Sequence, residues 1–137
     1  MVGYSGTPLV KKLGIKETSS VLLVSPPKGL LETLGPLPAE AEIVSGRSRE
    51  RLDVVLLFVV SQKKLNQEFP RLAARLKPAG GLWVCWPKKA SGVETDLAEN
   101  VIREVGLAAS LVDNKVCAVD ETWSGLRFVI RLADRKK

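Results

Sequence analysis

"VLLVSPPKGLLETLG", residues 21–35, reads as a buried strand that enters a turn and then a short helix. Val21, Leu22, Leu23 and Val24 leave the strand no polar face. It is therefore expected to be covered on both sides, as in a parallel sheet with helices above and below. Gly29 and Gly35 bracket the helical segment 29–34, and "GPLP" then forces a loop. In open α/β sheets a ligand crevice lies beyond the carboxyl ends of the strands. The turn Ser25-Pro26-Pro27-Lys28-Gly29 is the first place to look for one.

Outward from this stretch, the pattern repeats. Upstream, "GTPLVKKLG" predicts a short helix over 7–14, with Thr7 as N-cap, Pro8 at the first helical position and Gly14 as the stop. Downstream, "AEIVSG" (41–46) predicts a second short strand, and "GRSRER" a charged connection. "LDVVLLFVV" (52–60) is the clearest strand of the chain, rich in β-branched residues and bounded by charge. Leu65, Phe69, Leu72 and Leu76 recur at helical spacing across 62–76, with Pro70 expected to kink or split that helix. "KPAGG" breaks it, and "LWVCW" (82–86) is another buried strand.

"TDLAENVIREVG" (95–106) predicts an amphipathic helix with Leu97, Val101 and Val105 on one face. Asp96 and Glu99 have capping-box spacing there, and Gly106 is its stop. "LVDNKVCAVD" (111–120) and "LRFVIRL" (126–132) read as two last strands. The joint "ETWSG" is too short for a helical crossover, so these two strands are antiparallel neighbours. The expectation is one α/β domain over 1–137, a three-layer Rossmann-like sandwich. Its sheet has about six strands, mostly parallel, with an antiparallel C-terminal strand and a basic tail at 133–137. The strand at 20–25 is placed at the centre of that sheet.

Composition removes several chemistries. The chain has no histidine, which excludes His-liganded metals, Ser-His-Asp and Cys-His catalysis and the usual neutral-pH base. Its two cysteines, Cys85 and Cys117, cannot make a structural zinc site alone, and their apolar surroundings mark them as reduced core residues. The sharper alternative, thiol-based redox sensing, requires an exposed thiolate near cations, which Lys88 and Lys89 would supply to Cys85. The longest apolar run, "VVLLFVV", is too short to cross a bilayer. The opening "MVGYSGTPLVKK" lacks the charged start and apolar core of a secretory signal, so a cytoplasmic protein is expected. The net charge of +6 favours anionic partners. It is spread along the chain without interleaved aromatics, which argues against nucleic acid.

"LKPAGGLWVCWPKK" and the helix and hairpin after it resemble the second half of class I S-adenosylmethionine-dependent methyltransferases. More narrowly, "GYSGTPLVKKLGIK", "LWVCWPKKASGVETDLAENVIREVGLAA" and "VDNKVCAVDETWSGLRFV" resemble a family of short bacterial proteins whose function is not established. The resemblance covers well over half the chain. It implies a methyltransferase-related Rossmann-like domain, and it carries no activity with it.

The chain departs from the methyltransferase pattern where the cofactor binds. Those enzymes place a glycine-rich turn after the first strand and an acidic residue at the end of the second. Here the turn holds Pro26 and Pro27, which remove two N–H donors, and the second strand ends in Ser45-Gly46-Arg47. Both departures argue against S-adenosylmethionine as a cofactor.

The predicted strand ends carry Ser25, Lys28, Arg47, Ser61, Gln62, Trp86, Lys88 and Lys89. The hairpin joint adds Asp120, Glu121, Trp123 and Ser124. One reading makes this rim a site for an anionic, aromatic ligand. In it Trp86 and Trp123 stack, Ser25, Lys28, Lys88, Lys89 and Ser124 bind, and Glu121 or Asp120 acts as base. In the other, both tryptophans cap the core and the lysines are solvated. Three functions stay open: a non-catalytic ligand-binding or regulatory module, a divergent methyltransferase, and a basic protein docking on nucleic acid or an acidic protein surface. Oligomeric state is not legible.

Overall fold

In a computed structural model, residues 7–135 are described. They form α1 (Leu9–Lys12), β1 (Ser20–Val24), α2 (Leu30–Leu34), β2 (Glu42–Ile43), β3 (Leu52–Phe58) and α3 (Gln62–Ala73). There follow β4 (Leu76–Pro87), a 3-10 turn (Lys89–Ser91), α4 (Glu99–Ala108), β5 (Leu111–Ala118), β6 (Trp123–Ile130) and a second 3-10 turn (Leu132–Asp134). The six strands make one sheet in the order β2-β1-β3-β4-β6-β5. β2, β1, β3 and β4 are parallel, β6 is antiparallel to β4, and β5 is antiparallel to β6. The predicted α/β sandwich with an antiparallel end is the observed fold.

β3 and β4 occupy the middle of the sheet, as their unbroken apolar runs require. The expectation that β1 is central is corrected: it is next to the edge, because β2 is only two residues long and the C-terminal hairpin extends the opposite side. β1 connects leftward to β2, and the chain then crosses back to β3. The topological switch point therefore lies between the carboxyl ends of β1 and β3.

The two faces have separate cores. On one, α3 and α4 bring Leu65, Phe69, Leu72 and Ile102 against Leu22, Val55, Leu57, Leu82, Val84 and Phe128. On the other, the α1 and α2 regions bring Leu13, Ile15, Leu30 and Leu34 against Val21, Val54, Leu56, Phe58 and Trp83. Fully buried Trp83 donates its indole N–H to the Leu13 carbonyl at 3.0 Å, which ties the segment after α1 to the middle of the sheet. Trp83 and Trp86 lie in different cores, as strand alternation requires.

Several local expectations change. α1 spans only Leu9–Lys12, with Pro8 rather than Thr7 at its N-cap and no side-chain cap. The tail expected as frayed holds the 3-10 turn Leu132–Asp134, while 136 and 137 lie outside the described residues. α3 is one continuous helix through Pro70. Leu65, Phe69 and Leu72 are buried on its inner face, whereas Pro70 is exposed, so water can take the Asn66 carbonyl that the missing N–H leaves free. β4 begins at Leu76 rather than Leu82, with an irregular register opposite Leu52–Val54 where "KPAGG" is threaded into the sheet edge.

Gly106 is not a helix stop. It lies inside α4, where a Cβ would run into the Phe128 ring, so glycine lets the helix approach β6 closely. Asp96 caps a different helix from the one predicted. It accepts the Gln62 N–H at 2.8 Å, and the Gln62 side-chain amide returns a bond to the Asp96 carbonyl at 3.0 Å. The start of α3 is thereby locked to the loop before α4.

Candidate functional site

The turn after β1 is built unlike a cradle of amides. Ser25 has φ 54°, a left-handed conformation that is strained for a residue with a side chain. Pro26 and Pro27 follow with no N–H, and Gly29, at φ 84°, starts the five-residue α2. The hollow beside this turn, about 410 Å³, is walled by Leu23, Pro26, Pro27, Leu30 and Leu31, with Glu32 its ionisable residue. Ser25 and Lys28 are exposed, and Lys28 has no ion-pair partner among the described residues. The chain leaving β2 runs Val44-Ser45-Gly46-Arg47, again without a carboxylate. The Ser45 hydroxyl accepts the Arg47 N–H at 3.1 Å, closing a tight turn.

Ser61 and Gln62, at the end of β3, hold structure rather than a ligand. The Ser61 hydroxyl caps α3 by accepting the Lys64 N–H at 3.2 Å, and Gln62 makes the Asp96 clamp. Beyond β4 the rim opens into a cavity of about 510 Å³ whose lining includes Trp86, Pro87, Lys89, Val93, Thr95 and Leu97. Trp86 is 9% exposed and belongs to the core beneath α4, so the cavity lies against that core. Thr95 fixes the far wall: its hydroxyl donates to the Val60 carbonyl at 2.6 Å and accepts the Leu97 N–H at 3.1 Å. Glu94 and Glu99 also line it, and the Glu99 carboxylate is paired with the Arg103 guanidinium at 2.6 Å.

The two tryptophans do not converge. Trp86 pairs in register with Ser124, and Trp123 with Pro87, so Trp123 emerges on the opposite face. There it packs edge-on against Phe58, with ring centroids 5.2 Å apart. The sequence places 121–125 in the joint between the last two strands, whereas β6 starts at Trp123, and this register separates the rings. Ser124 lies within the β4–β6 ladder.

Asp120 is committed to the hairpin: one of its carboxylate oxygens accepts the N–H groups of Thr122 and Trp123, each at 2.8 Å. Glu121 is exposed, and no hydrogen bond orients it among the described residues. The Lys88 backbone N–H bonds the Thr122 carbonyl at 2.7 Å, which joins the β4 end to the hairpin. Of the residues read as a rim from sequence, Lys89 and Trp86 share a cavity. The sequence reading missed Val93, Thr95 and Leu97. The Thr-Asp pair before an apolar helix was a signal for the wall they build.

Both thiols are buried and unpaired. Burial pushes the Cys85 thiol far above its ordinary value, and the nearby Cys117 and Asp120 push it further. Burial also raises Cys117, against the opposing pull of Lys12, Lys115 and Lys88. A reactive thiolate needs the reverse, so these are core thiols. Among the described residues no three Asp, Glu or Cys side chains are grouped as a metal ion would need, and no helix is long and apolar enough to cross a membrane.

No protein-family model matches the chain, and no curated protein matches it in sequence. Solved structures do match in fold. A ribosomal-protein methylase from Lactobacillus delbrueckii subsp. bulgaricus aligns with TM-score 0.61 at 13% identity, covering 90% of this chain and 75% of that one. An S-adenosylmethionine-dependent methyltransferase from Aquifex aeolicus aligns with TM-score 0.55 at 15% identity, covering 90% and 88%. Magnesium protoporphyrin IX methyltransferase from Synechocystis, solved with bound S-adenosylmethionine, gives 0.56 at 11% identity, covering 90% and 74%. The likeness is one of architecture, and the chain has the Rossmann-like fold of the class I S-adenosylmethionine-dependent methyltransferases.

Proposed function

We propose that the chain is a non-catalytic small-ligand-binding module built on a methyltransferase-type fold. The observation that carries this reading is the Ser25-Pro26-Pro27 corner at the switch point. A cofactor with a charged amino-acid end and a ribose needs backbone donors at the first turn and a carboxylate at the carboxyl end of the second strand. This corner offers two residues without N–H, an apolar hollow, and a second strand that leads into Ser45-Gly46-Arg47. These residues do not fit S-adenosylmethionine.

The ligand-binding part of the proposal rests on the cavity beside Trp86. Its lining combines Trp86, the apolar Val93 and Leu97, and the charged Lys89 and Glu94. That is the usual composition of a small-molecule pocket, mostly apolar with a few polar groups to orient the guest. Asp120, at the start of the hairpin, is held by two backbone N–H groups and serves the turn.

The second reading, a divergent methyltransferase, draws on the fold alone. Titration calorimetry with S-adenosylmethionine and S-adenosylhomocysteine separates the two, alongside a thermal-shift panel of small aromatic and zwitterionic compounds. The proposal expects no saturable binding of either cofactor compound at millimolar concentration. It also expects at least one panel hit whose stabilisation is lost in Trp86→Leu or Lys89→Ala. Tight cofactor binding would overturn it and establish the second reading.

A further inference from the structure

A second cavity lies at the opposite edge of the sheet, beyond the amino ends of β1 and β3. It has a volume of about 390 Å³, and five cations line it: Lys11, Lys12, Lys16, Lys115 and Arg127. The one carboxylate in its wall, Asp53, is already engaged by the Lys77 ammonium at 2.9 Å and the Ser20 N–H at 2.8 Å. Among the described residues none of the five cations makes an ion pair.

Arg127 shows that the cavity is built rather than accidental. It projects from the interior strand β6, half-buried, on the face that carries Trp83. Its side-chain partner among the described residues is the Asn114 amide oxygen, at the long distance of 3.4 Å. The neighbouring strand makes room for it with glycine: a Cβ at Gly81 would collide with the guanidinium. Burial lowers the Arg127 pKa and nearby Arg135 lowers it further, the signature of a cation without its counter-charge. Lys115 is directly opposite Arg127 across the β5–β6 ladder, and α1 contributes Lys11 and Lys12 from above.

We propose that this cavity binds a di- or triphosphate group carried by a small molecule. A guanidinium presents a planar fork to phosphate oxygens, and lysines add point charges around it. The cation excess is more than a monophosphate would neutralise, and a hollow of about 390 Å³ suits a compact polyanion. The site is separate from the carboxyl-edge cavity and does not depend on what that cavity binds.

The test is calorimetric titration of the full chain with inorganic pyrophosphate, tripolyphosphate and ATP at about 0.15 M salt, where exposed charges are screened beyond about 8 Å. One-to-one binding of tripolyphosphate or ATP is expected, with orthophosphate at least about tenfold weaker, a difference of roughly 1.4 kcal/mol. Equal affinity for tripolyphosphate and ATP identifies the phosphate chain as the whole ligand, and tighter ATP binding identifies a nucleotide. Arg127→Gln should weaken binding by about tenfold or more, and so should Lys11→Gln/Lys16→Gln, whose exposed positions leave folding intact. Lys63→Gln, exposed on α3 and outside both cavities, should change nothing. The proposal is overturned if tripolyphosphate and ATP fail to saturate at millimolar concentration. It is equally overturned if the folded lysine double variant binds like the parent, or if a single-stranded oligonucleotide binds where tripolyphosphate does not.

Discussion

Replacing Gly106 by alanine sets helix propensity against packing, and the two disagree in sign. Gly106 lies inside α4, and alanine in a helix interior is favoured over glycine by about 1 kcal/mol. On propensity alone the substitution stabilises. The added Cβ, however, would meet three atoms of the Phe128 ring, all closer than real Cβ contacts allow. Phe128 cannot swing aside freely, because it is fully buried and packed edge-on against Phe69 with centroids 5.2 Å apart. Relief requires α4 to lift from the sheet, and overpacking of this kind costs about 1–3 kcal/mol. The upper half of that range, less the propensity gain, leaves a net loss of about 1–2 kcal/mol. Urea unfolding monitored by tryptophan fluorescence measures this directly, with an unchanged m-value as the check that the fold is retained. The cycle with Phe128→Leu should show favourable coupling above about 0.5 kcal/mol, since the smaller side chain admits the methyl group. A stabilised Gly106→Ala protein would refute the close α4–β6 approach.

Three further outcomes are expected. Trp83→Phe removes the donor to the Leu13 carbonyl and leaves a void, so it should cost about 3 kcal/mol and raise amide exchange in residues 9–15 above that in β3; unchanged exchange there would contradict the anchoring role. Asp120→Ala, which strips two N–H groups of their acceptor, should cost about 1–2 kcal/mol by denaturant unfolding, with partial recovery in Asp120→Ser; an unaffected stability would free Asp120 for another role. Cys85 is held protonated in the fold, while in the unfolded chain it ionises near its ordinary value of 9.0. Above that pH the unfolded state binds fewer protons than the native state, so stability falls as pH rises, by about 1.4 kcal/mol per pH unit for each such thiol. The slope between pH 9 and 11 should flatten in Cys85→Ala, and an identical slope would show that this thiol is not the source.

The fold was readable because each interior strand is an apolar run too continuous to be half exposed, and each break carries Gly, Pro or charge. "LDVVLLFVV" and "LWVCW" became the two central strands for that reason. Local rules failed where tertiary contacts override them. Pro70 stays inside a helix because its outer side is solvated and its inner neighbours are pinned. Gly106 resembles a stop but serves a helix–sheet contact, and Asp96 has capping-box spacing to Glu99 but caps the helix before it.

The rim was partly legible. Sequence placed Trp86, Lys89 and the hairpin at the correct edge, but the pairing register of β6 decides which face each tryptophan takes. A one-residue change in register inverts that answer, and the sequence of a short hairpin does not fix it. The basic cavity was not legible at all. Its cations come from α1, the loop after it, β5 and β6, and nothing in the spacing of Lys11, Lys16, Lys115 and Arg127 signals that they meet.

The proposed function requires that the Ser25-Pro26-Pro27 turn, on this methyltransferase-type fold, does not hold S-adenosylmethionine. Titration of the full chain with S-adenosylmethionine, followed by calorimetry to millimolar ligand, tests it most directly. No saturable heat is expected, in the parent protein and in Lys28→Ala alike. A one-to-one isotherm in the micromolar range, weakened by substitutions at Ser25 or Lys28, would contradict it.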